Sequence, residues 1–480
     1  MDSYDAVVVG AGPNGLAAAI VIARAGLSVA VFEGSDSVGG GTRTDELTVP
    51  GFHHDVCSAI HPLHQSPAFR SFPLAEFGVD WVYAPVELAH PLDGGRAVAL
   101  SHDVNETASQ FPVDTDTYRK AFDFYARHAD ELFAQTLRPL VNVPRTPISL
   151  ARFGLPALLS AKAYARRFQS PEARSLFLGV AAHNVTSLTQ PASAAVALAL
   201  MTAGHRYRWP MARGGSHSIT KAMAAYFESL GGVIHLGNRI ADFSDLPPSR
   251  LKLLSVPPPA LATIAGDRLS ADEREKLNGW RFGPGVFKVD WALDGSVPWD
   301  SPTVREAGTV HVVGEPDEVM ESEDAMWNGR HAERPYVLFA QQSLFDETRA
   351  PAGKHTGWAY CHVPQGSTVD MTDAIEAQIE RFAPGFRDLI IGRHTMSSED
   401  YERYNSNYVG GDIGSGSFTL KQILARPSFG PNPYKTSLDG VFLCGSSTAP
   451  GAGVHGMAGW NAAHAALQSI GMNADYSSSA

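Results

Sequence analysis

The feature that most constrains this 480-residue chain is its start, where an apolar strand runs into a glycine-rich turn and a helix. Ala6 to Val9 form a continuous apolar run, as expected of a strand buried on both faces. Gly10, Gly12 and Gly15 follow with the spacing G-x-G-x-x-G, and the alanine-rich segment Leu16 to Arg24 predicts a helix. The unit predicts an α/β fold of the Rossmann type.

This turn suits a dinucleotide. The first glycine makes the tight turn, the second lets the backbone approach a pyrophosphate, and the third lets the helix pack on the strand. The helix N-terminus points free N–H groups and a positive dipole at the phosphates. Glu33 ends the second predicted strand, where a carboxylate binds a ribose diol and disfavours a 2′-phosphate. The residues predicted to hold the dinucleotide here are Gly10, Gly12, Pro13, Asn14, Gly15 and Glu33.

A second glycine-rich loop favours FAD over NAD. Gly40, Gly41 and Arg43 follow Glu33 closely, and such a loop can close over the far side of a pyrophosphate. The structural alternative is a flexible surface loop. A second strand–G-x-G-x-x-G–helix unit is not found in the sequence, so a separate NAD(P)H domain is not expected and electrons should leave by another route.

Residues 439–457 predict the other half of the same site. Gly440 to Cys444 reads as a strand, and a glycine-rich turn leads into a helix predicted from Gly453 to Ser469. Such a turn brings backbone N–H groups and a helix N-terminus to flavin N1–C2=O, which gains negative charge on reduction. The alternative is an ordinary strand–helix turn.

The strand and helix patterns predict two domains. Nucleotide-type elements at both ends and in the middle predict a discontinuous, glutathione reductase-like Rossmann domain that binds FAD over 1–100, 206–262 and 430–472, with some strands of the other domain in 50–100. Residues 101–205 and 263–429 predict an inserted α+β substrate domain with a helical cover, and 473–480 a loose tail. The other predicted elements are helices at 117–136, 191–201, 216–230 and 372–383 and strands at 233–236, 286–293 and 336–340.

Composition limits the partners and the compartment. The 50 acidic and 38 basic residues give a net charge of -12, which argues against a nucleic acid partner. The three cysteines include no C-x-x-C pair, so neither a redox dithiol nor a metal site is expected. Few cysteines and the lack of a signal-peptide pattern predict a cytoplasmic protein. The oligomeric state is left open.

Residues 151–168 stand out as basic and apolar within an acidic chain. They could seat the protein on a membrane surface and give a lipophilic substrate a path of entry. The alternative, which we favour at this point, is a helix that covers the inserted domain and turns its basic face to water.

The sequence resembles the phytoene desaturase-like branch of the FAD-dependent oxidoreductases, and within it the pyridine nucleotide-disulphide oxidoreductase domain-containing protein 2-like subgroup. The resemblance rests on the segments VVVGAGPNGLAAAIVIARAG, HDVCSAIHPLHQSPAFR, RWPMARGGSHSI, GPGVFKVDWAL and GVFLCGSSTAPGAGVHGMAGWNAA and covers almost the whole chain. It implies noncovalent FAD and a substrate domain facing the isoalloxazine ring. The FAD contacts that it implies are Glu33, Arg43, Ile240, Gly445, Gly453 and Val454.

Two departures qualify the resemblance. The subgroup name mentions a disulphide, but without a C-x-x-C pair that chemistry is not inferred. Many relatives in the wider superfamily carry a long hairpin after the position of Ile240, whereas this chain passes quickly to Leu251 to Val256. The resemblance therefore carries over less securely to contacts on the adenine side.

Histidines are the main candidates for a catalytic base, because desaturation releases a proton as well as a hydride. His455, at the start of the C-terminal helix, is either catalytic, a ligand of the cofactor or a helix cap. His61 is a second candidate, with His183 and His205 more easily explained by packing. Asp412 is either a carboxylate at the cavity mouth or a turn residue.

These features predict an FAD-dependent oxidoreductase that dehydrogenates CH–CH bonds of a hydrophobic small molecule, such as an isoprenoid or another lipid, with hydride transfer to flavin N5. Dioxygen, a quinone or another acceptor would reoxidise it. The alternatives are an amine oxidase with an aromatic cage drawn from Tyr404, Tyr408 and Tyr434, a non-catalytic FAD-containing interaction protein, and an isomerase that uses reduced flavin.

Overall fold

The computed structural model describes residues 3–472, so the tail predicted at 473–480 lies outside the described residues. The strands of the described chain are β1 (Tyr4–Val9), β2 (Val29–Phe32), β3 (Thr44–Asp45), β4 (His54–Asp55), β5 (Trp81–Val82), β6 (Val86–Leu92), β7 (Arg96–Leu100), β8 (Met211–Ala212), β9 (Val233–His235), β10 (Ser249–Leu254), β11 (Gly285–Leu293), β12 (Ala307–Val312), β13 (Val337–Ala340), β14 (His355–Val363), β15 (Ile390–Met396) and β16 (Val441–Leu443).

Helices cover both sheets of the molecule. They are α1 (Pro13–Arg24), α2 (Pro67–Ser71), α3 (Val104–Ser109), α4 (Thr115–Arg127), α5 (Ala129–Thr136), α6 (Pro147–Ala157), α7 (Ala161–Ala165), α8 (Pro171–Ala181), α9 (Ala194–Tyr207), α10 (His217–Ser229), α11 (Pro258–Ala265), α12 (Ala271–Asn278), α13 (Pro302–Arg305), α14 (Pro316–Trp327), α15 (Thr372–Phe382), α16 (Ser398–Tyr404), α17 (Leu420–Leu424) and α18 (Met457–Ser469).

The first sheet is parallel, with the strand order β16-β10-β1-β2-β9. Its central strands are almost wholly apolar because helices cover both faces. On one face α1 packs between α10 and α18, and Gly459 of α18 permits very close approach, since a Cβ there would lie 1.7 Å from the carbonyl oxygen of Asn14. This is the Rossmann-type sheet that the glycine spacing predicts.

The second sheet has seven strands in the order β15-β11-β14-β13-β12-β6-β7. Only β12 and β6 pair in parallel, and the other neighbours are antiparallel. Helices α3 to α9 and the second sheet contribute most of one large apolar core. Strands β6 and β7 come from within 50–100, where substrate-sheet strands are predicted.

The packing of the structure differs from one predicted domain boundary, the end of the first domain at residue 262. The apolar core on the second face of the parallel sheet joins Val7 and Phe32 to Leu261, Ile264 and Leu269. The first domain therefore extends beyond residue 262, because α11 covers the sheet that β1 and β2 form.

Most predicted elements form, with three differences. The single helix predicted over 117–136 is two helices, broken at His128. The helix predicted at 191–201 begins later, at Ala194, and continues to Tyr207. The last helix begins at Met457 and not at Gly453, because Gly453 and Gly456 have φ of 132° and 67°, which a right-handed helix cannot accommodate.

Candidate active site

A cavity of about 1130 Å³ is lined by residues of both sheets and of the helical cover. Every predicted cofactor contact except Gly15 lines it: Gly10, Gly12, Pro13, Asn14, Glu33, Gly40, Gly41, Arg43, Ile240, Gly445, Gly453 and Val454. Residues more than 400 positions apart thus face one space. A cavity of this size accommodates a large ligand such as a dinucleotide together with a second molecule.

The glycines of the first turn play three different roles. Gly10 has a φ of 98°, which favours glycine in the turn after β1. A Cβ on Gly15 would lie only 1.9 Å from the carbonyl oxygen of Gly10, so Gly15 lets α1 pack against the strand end instead of facing the ligand. A Cβ on Gly40 would lie 3.1 Å from Cα of Gly12, so the two glycine loops touch through their backbones.

Glu33 organises the rim of this turn. Its carboxylate accepts hydrogen bonds from the N–H of Ala11 at 2.7 Å and the N–H of Ser35 at 3.0 Å. Arg43 Nη2 lies 3.6 Å from Glu33 Oε1. Each carboxylate oxygen keeps further acceptor capacity, and the side chain lines the cavity, as the ribose role requires.

Unpaired polar atoms mark where the pyrophosphate would lie. Among the described residues, Arg43 Nε and Asn14 Oδ1 are buried without a hydrogen-bond partner. The N-cap residue of helix α1 is Gly12, which supplies no side-chain cap, and the first turn has no acidic residue. The N–H groups and positive end of the helix are therefore left for an anion. Arg43 Nε and the N–H groups at the start of α1 are donors that fit the pyrophosphate of FAD, whereas Asn14 Oδ1 is an acceptor and does not pair with a phosphate oxygen.

The connection between β9 and β10 is short, as the sequence suggests. Between β9 and β10 the described chain contains only a 3₁₀ turn, Phe243–Asp245, where the wider superfamily has a hairpin. Ile240 lines the cavity there, together with Arg239, Thr263 and Ile264. Helix α11 therefore lines the cavity beside Ile240.

His455 does not line the cavity. Its ring is 1% exposed, and Nδ1 accepts a hydrogen bond from the N–H of Met457 at 3.0 Å, at the first residue of α18. Burial lowers the pKa of His455 to about 4. This placement favours the capping alternative for His455, and its catalytic role stays a prediction without geometric support.

His61 lines the cavity and is almost completely buried. Its Nε2 lies 2.8 Å from Ser216 Oγ, whereas Nδ1 is buried without a hydrogen-bond partner in the described structure. A bare lone pair is less costly to bury than an unpaired N–H, so we assign the proton to Nε2 and a free lone pair to Nδ1. Burial lowers the pKa of His61 to about 4, so the ring is neutral near pH 7.

Asp412 lines the cavity but is occupied by its own turn. Its carboxylate accepts hydrogen bonds from the N–H groups of Gly283, Gly414 and Gly416 at 2.6–2.8 Å. Burial raises the pKa of Asp412, although these donors and Arg426 oppose the shift. The arrangement favours the turn alternative over a catalytic carboxylate.

The other candidates separate in the structure. His183 lines the cavity, whereas His205 is bonded to the Tyr118 hydroxyl and does not. Tyr404 and Tyr408 lie against the second glycine loop, and the Tyr434 hydroxyl donates to the Ala449 carbonyl, so the three do not form a cage. Within residues 3–472 no cluster of His, Cys, Asp or Glu could hold a metal ion.

The cavity residues that the sequence analysis missed include Trp209, Thr309, Trp358 and Tyr360. Thr309 belongs to β12, and Trp358 and Tyr360 to β14, two strands of the second sheet. The alternation of side chains along these strands is the only local signal for them, and it does not say which face meets the cofactor domain.

Comparison with known proteins places this site in a class, the FAD-dependent oxidoreductases. The family model "Flavin containing amine oxidoreductase" matches residues 14–272, which is more than half of the chain. The chain belongs to this flavin-containing amine oxidoreductase family. It is an enzyme that uses noncovalent FAD.

Individual relatives are more distant. The chain is 26% identical to pyridine nucleotide-disulfide oxidoreductase domain-containing protein 2 of Rattus norvegicus, covering 97% of this chain and 94% of the relative. It is 23% identical to the lycopene-forming phytoene desaturase of a Paracoccus species, covering 95% of each. A structure of putrescine oxidase bound to putrescine matches with a TM-score of 0.64 at 18% identity, covering 98% of this chain and 99% of the other, and supports the fold.

Replacing Glu33 with alanine should weaken FAD binding by about 1–3 kcal/mol, because charged hydrogen bonds to the ribose and to the Ala11 N–H are lost. The measurement is FAD affinity by titration of the stripped protein, with Glu33→Gln expected between the two, since it keeps one acceptor oxygen. The exposed Glu228→Ala is the matched control. Unchanged FAD affinity in Glu33→Ala would contradict the ribose assignment.

Proposed function

We propose that this enzyme dehydrogenates a CH–CH bond of a hydrophobic small molecule, such as an isoprenoid or another lipid. The supporting observation is the lining of the cavity. Its only acidic members among the described residues are Glu33 and Asp412, and both already accept backbone N–H groups. The helical cover contributes an apolar wall: Leu140, Leu150, Phe153, Leu158, Ala199 and Leu200. Such a wall favours an uncharged substrate over an ammonium group, which would need a free carboxylate.

The residues of the chain then divide the work. Bound FAD supplies the hydride acceptor, flavin N5. The apolar wall holds the substrate and excludes water, which favours hydride transfer over side reactions. His61 Nδ1, with its free lone pair, is proposed to take the proton from the neighbouring carbon as the C=C bond forms.

The finer fold assignment and the reaction class draw support from different sources. The five-stranded parallel sheet with β16 at its edge supports a glutathione reductase-like FAD domain. The desaturase activity of the phytoene desaturase relative supports CH–CH oxidation. The putrescine oxidase structure is the reason to keep amine oxidation as the rival.

Anaerobic bleaching of the flavin tests the proposal. The purified holoenzyme is mixed without oxygen with fractions of a lipid extract and, separately, with a panel of amines. We expect loss of the oxidised flavin absorbance with lipid fractions only. Bleaching by amines alone would reverse the choice between CH–CH and CH–NH oxidation, and a flavin that no fraction reduces would favour the non-catalytic alternative.

His61→Gln should lower the rate of flavin reduction by the bleaching lipid fraction by roughly 100-fold, the usual contribution of a positioned base. His61 must be neutral to accept a proton, and burial lowers its pKa to about 4. The wild-type reduction rate should therefore stay level as the pH falls through 6.5 and drop only toward pH 4.

His53→Gln is the control, because 43% of the His53 side chain is accessible and His53 does not line the cavity. An acid limb near pH 6.5 in the wild type would contradict the assignment to His61. A His61→Gln enzyme with full FAD content and an unchanged reduction rate would exclude His61 as the base.

The substrate is proposed to enter from an anionic membrane surface. The segment 151–168 contains the second part of α6 and all of α7. It belongs to a longer stretch, 132–171, with six basic and no acidic residues. Leu155 is 70% exposed and Ile148 75%. Leu140 and Leu158 are exposed and also line the cavity, so its mouth opens within this patch.

An anionic bilayer is the occupant that this patch fits. Its exposed leucines could enter the interface while the basic side chains meet lipid phosphates. None of the helices within residues 3–472 has the length and apolar character to cross a bilayer, so the proposed contact is peripheral.

Charge reversal tests the membrane contact. Arg145→Glu with Arg166→Glu should weaken binding to vesicles of equal parts phosphatidylglycerol and phosphatidylcholine by roughly 30-fold or more, since each basic residue near an anionic surface contributes about 1 kcal/mol. Lys276→Glu with Arg330→Glu makes the same charge change elsewhere on the surface and should have a much smaller effect. Equal effects of the two pairs, measured by vesicle sedimentation, would refute this surface as the contact.

A further inference from the structure

One part of the cavity wall is polar, although most of its substrate side is apolar. His183, Asn184 and Thr309 line the cavity and form what we call the polar patch. His183 and Asn184 follow α8 in a 3₁₀ turn, and Thr309 lies in β12 on the same sheet face as His311. His183 Nε2 and His311 Nε2 are 2.9 Å apart, which brings the turn and the strand together.

The polar patch has unused hydrogen-bonding capacity. Asn184 is 2% exposed and Thr309 is 1% exposed. Asn184 Nδ2 donates to Thr186 Oγ1, but Asn184 Oδ1 and Thr309 Oγ1 have no partner among the described residues. Buried polar atoms are nearly always paired, so two unpaired atoms in residues that line one cavity point to a ligand that pairs them.

The patch is uncharged. Burial lowers the pKa of His183 to about 3 and the pKa of His311 well below its ordinary value, so both rings are neutral near pH 7 and one donates an N–H to the lone pair of the other. His311 Nδ1 is buried without a partner, which favours a lone pair there and places the proton on Nε2. His183 then accepts at Nε2 and carries its own N–H on Nδ1. The patch therefore offers a donor, an acceptor amide oxygen and a hydroxyl, and no charge that would hold an ammonium or a carboxylate.

We propose that the polar patch binds an uncharged oxygen function of the substrate, a hydroxyl or a carbonyl, so that the substrate is an oxygenated lipid instead of a pure hydrocarbon. The proposal rests on the proposed function, because it assumes that the apolar wall holds the remainder of a lipid. It adds a selectivity among lipids that the apolar wall alone cannot supply. An apolar wall cannot distinguish an alcohol from the alkane of the same length by hydrogen bonding.

The test compares 1-dodecanol with dodecane as ligands of the holoenzyme, with perturbation of the flavin absorption spectrum as the measure of binding. The wild type should bind dodecanol at least tenfold more tightly than dodecane. Thr309→Val combined with Asn184→Leu should remove that preference and leave the affinity for dodecane unchanged. Thr136→Val is the matched control, because Thr136 also lines the cavity but its hydroxyl already donates to the Leu132 carbonyl.

The outcomes separate this proposal from the reaction itself. Equal affinities for the two ligands in the wild type, or a preference that survives in the double variant, would overturn the polar patch. A preference that is lost in the double variant supports it even where no lipid bleaches the flavin, in which case only the dehydrogenase assignment fails. FAD content and melting temperature verify that the double variant is folded. The Thr309→Val single variant should be no less stable than the wild type, because it removes an unpaired buried hydroxyl.

Discussion

Replacing Arg349 with methionine is expected to lower the free energy of unfolding by about 3–5 kcal/mol, the usual effect of breaking a buried ion pair. Arg349 is 0% exposed and lies 2.8 Å from Asp55 and 2.9 Å from Asp346, whose side chains are also 0% exposed. Methionine fills much of the same volume but removes the buried cation from both carboxylates, and only Asp346 keeps another, Arg213 at 3.9 Å. Urea unfolding monitored by tryptophan fluorescence measures the effect.

The Arg349 network matters because it joins segments that are distant in sequence. Asp55 also accepts the N–H of Ser216, and Asp346 accepts the N–H of Gly214. The ion pairs thus tie β4, next to the second glycine loop, to the loop before α10 and to the turn after β13. Because Ser216 also contacts His61, which lines the cavity, loss of Arg349 should loosen the active site as well as the fold.

A control variant and a rescue variant test whether the effect of Arg349→Met comes from the buried ion pairs. Arg274→Met removes an exposed ion pair with Asp267 and should change stability by less than about 1 kcal/mol. Adding Asp55→Asn and Asp346→Asn to Arg349→Met should restore part of the loss, because the unpaired buried charge is the main penalty. A destabilisation no larger than that of Arg274→Met would disprove the role assigned to this network.

Sequence could predict the cofactor half of this protein because its determinants are local. The turn between β1 and α1 needs small residues at fixed spacings, and Glu33 follows at the end of the adjacent strand. A short stretch of sequence is therefore enough to predict the geometry of this turn. The same holds for the turn between β16 and α18, although the glycines there delay the helix start to Met457.

The substrate half could not be predicted in this way because pairing between distant segments creates it. Thr309 and Tyr360 face the cavity through the register of a seven-stranded sheet, which the chain's local pattern does not specify. The environment of histidines is equally non-local. His455 and His61 look alike as candidates, and only packing shows that His455 caps a helix, whereas His61 lines the cavity and has one ring nitrogen without a hydrogen-bond partner in the described structure.

Among glycine-to-alanine substitutions in the turn between β1 and α1, Gly15→Ala should have the largest effect on FAD binding. A Cβ there would lie 1.9 Å from the carbonyl oxygen of Gly10, far inside van der Waals contact, and the obstacle is backbone that a side-chain rotation cannot move. Helix α1 must shift away from β1. This shift moves the Gly12 backbone and the helix N-terminus away from the pyrophosphate. Overpacking of this kind costs about 3 kcal/mol, or roughly 100-fold in FAD affinity.

Gly279→Ala is the matched control for this substitution. Gly279 ends α12 with a φ of -72°, and the nearest atom to a Cβ there is the Lys276 carbonyl oxygen at an ordinary 3.4 Å. FAD affinity and melting temperature should be close to wild type in Gly279→Ala, whereas Gly15→Ala should lose bound FAD on dialysis. Because Gly15 does not line the cavity, a loss of FAD in a folded Gly15→Ala protein would result from the changed position of α1. A yellow, fully FAD-loaded Gly15→Ala protein would mean that the start of α1 does not fix the cofactor.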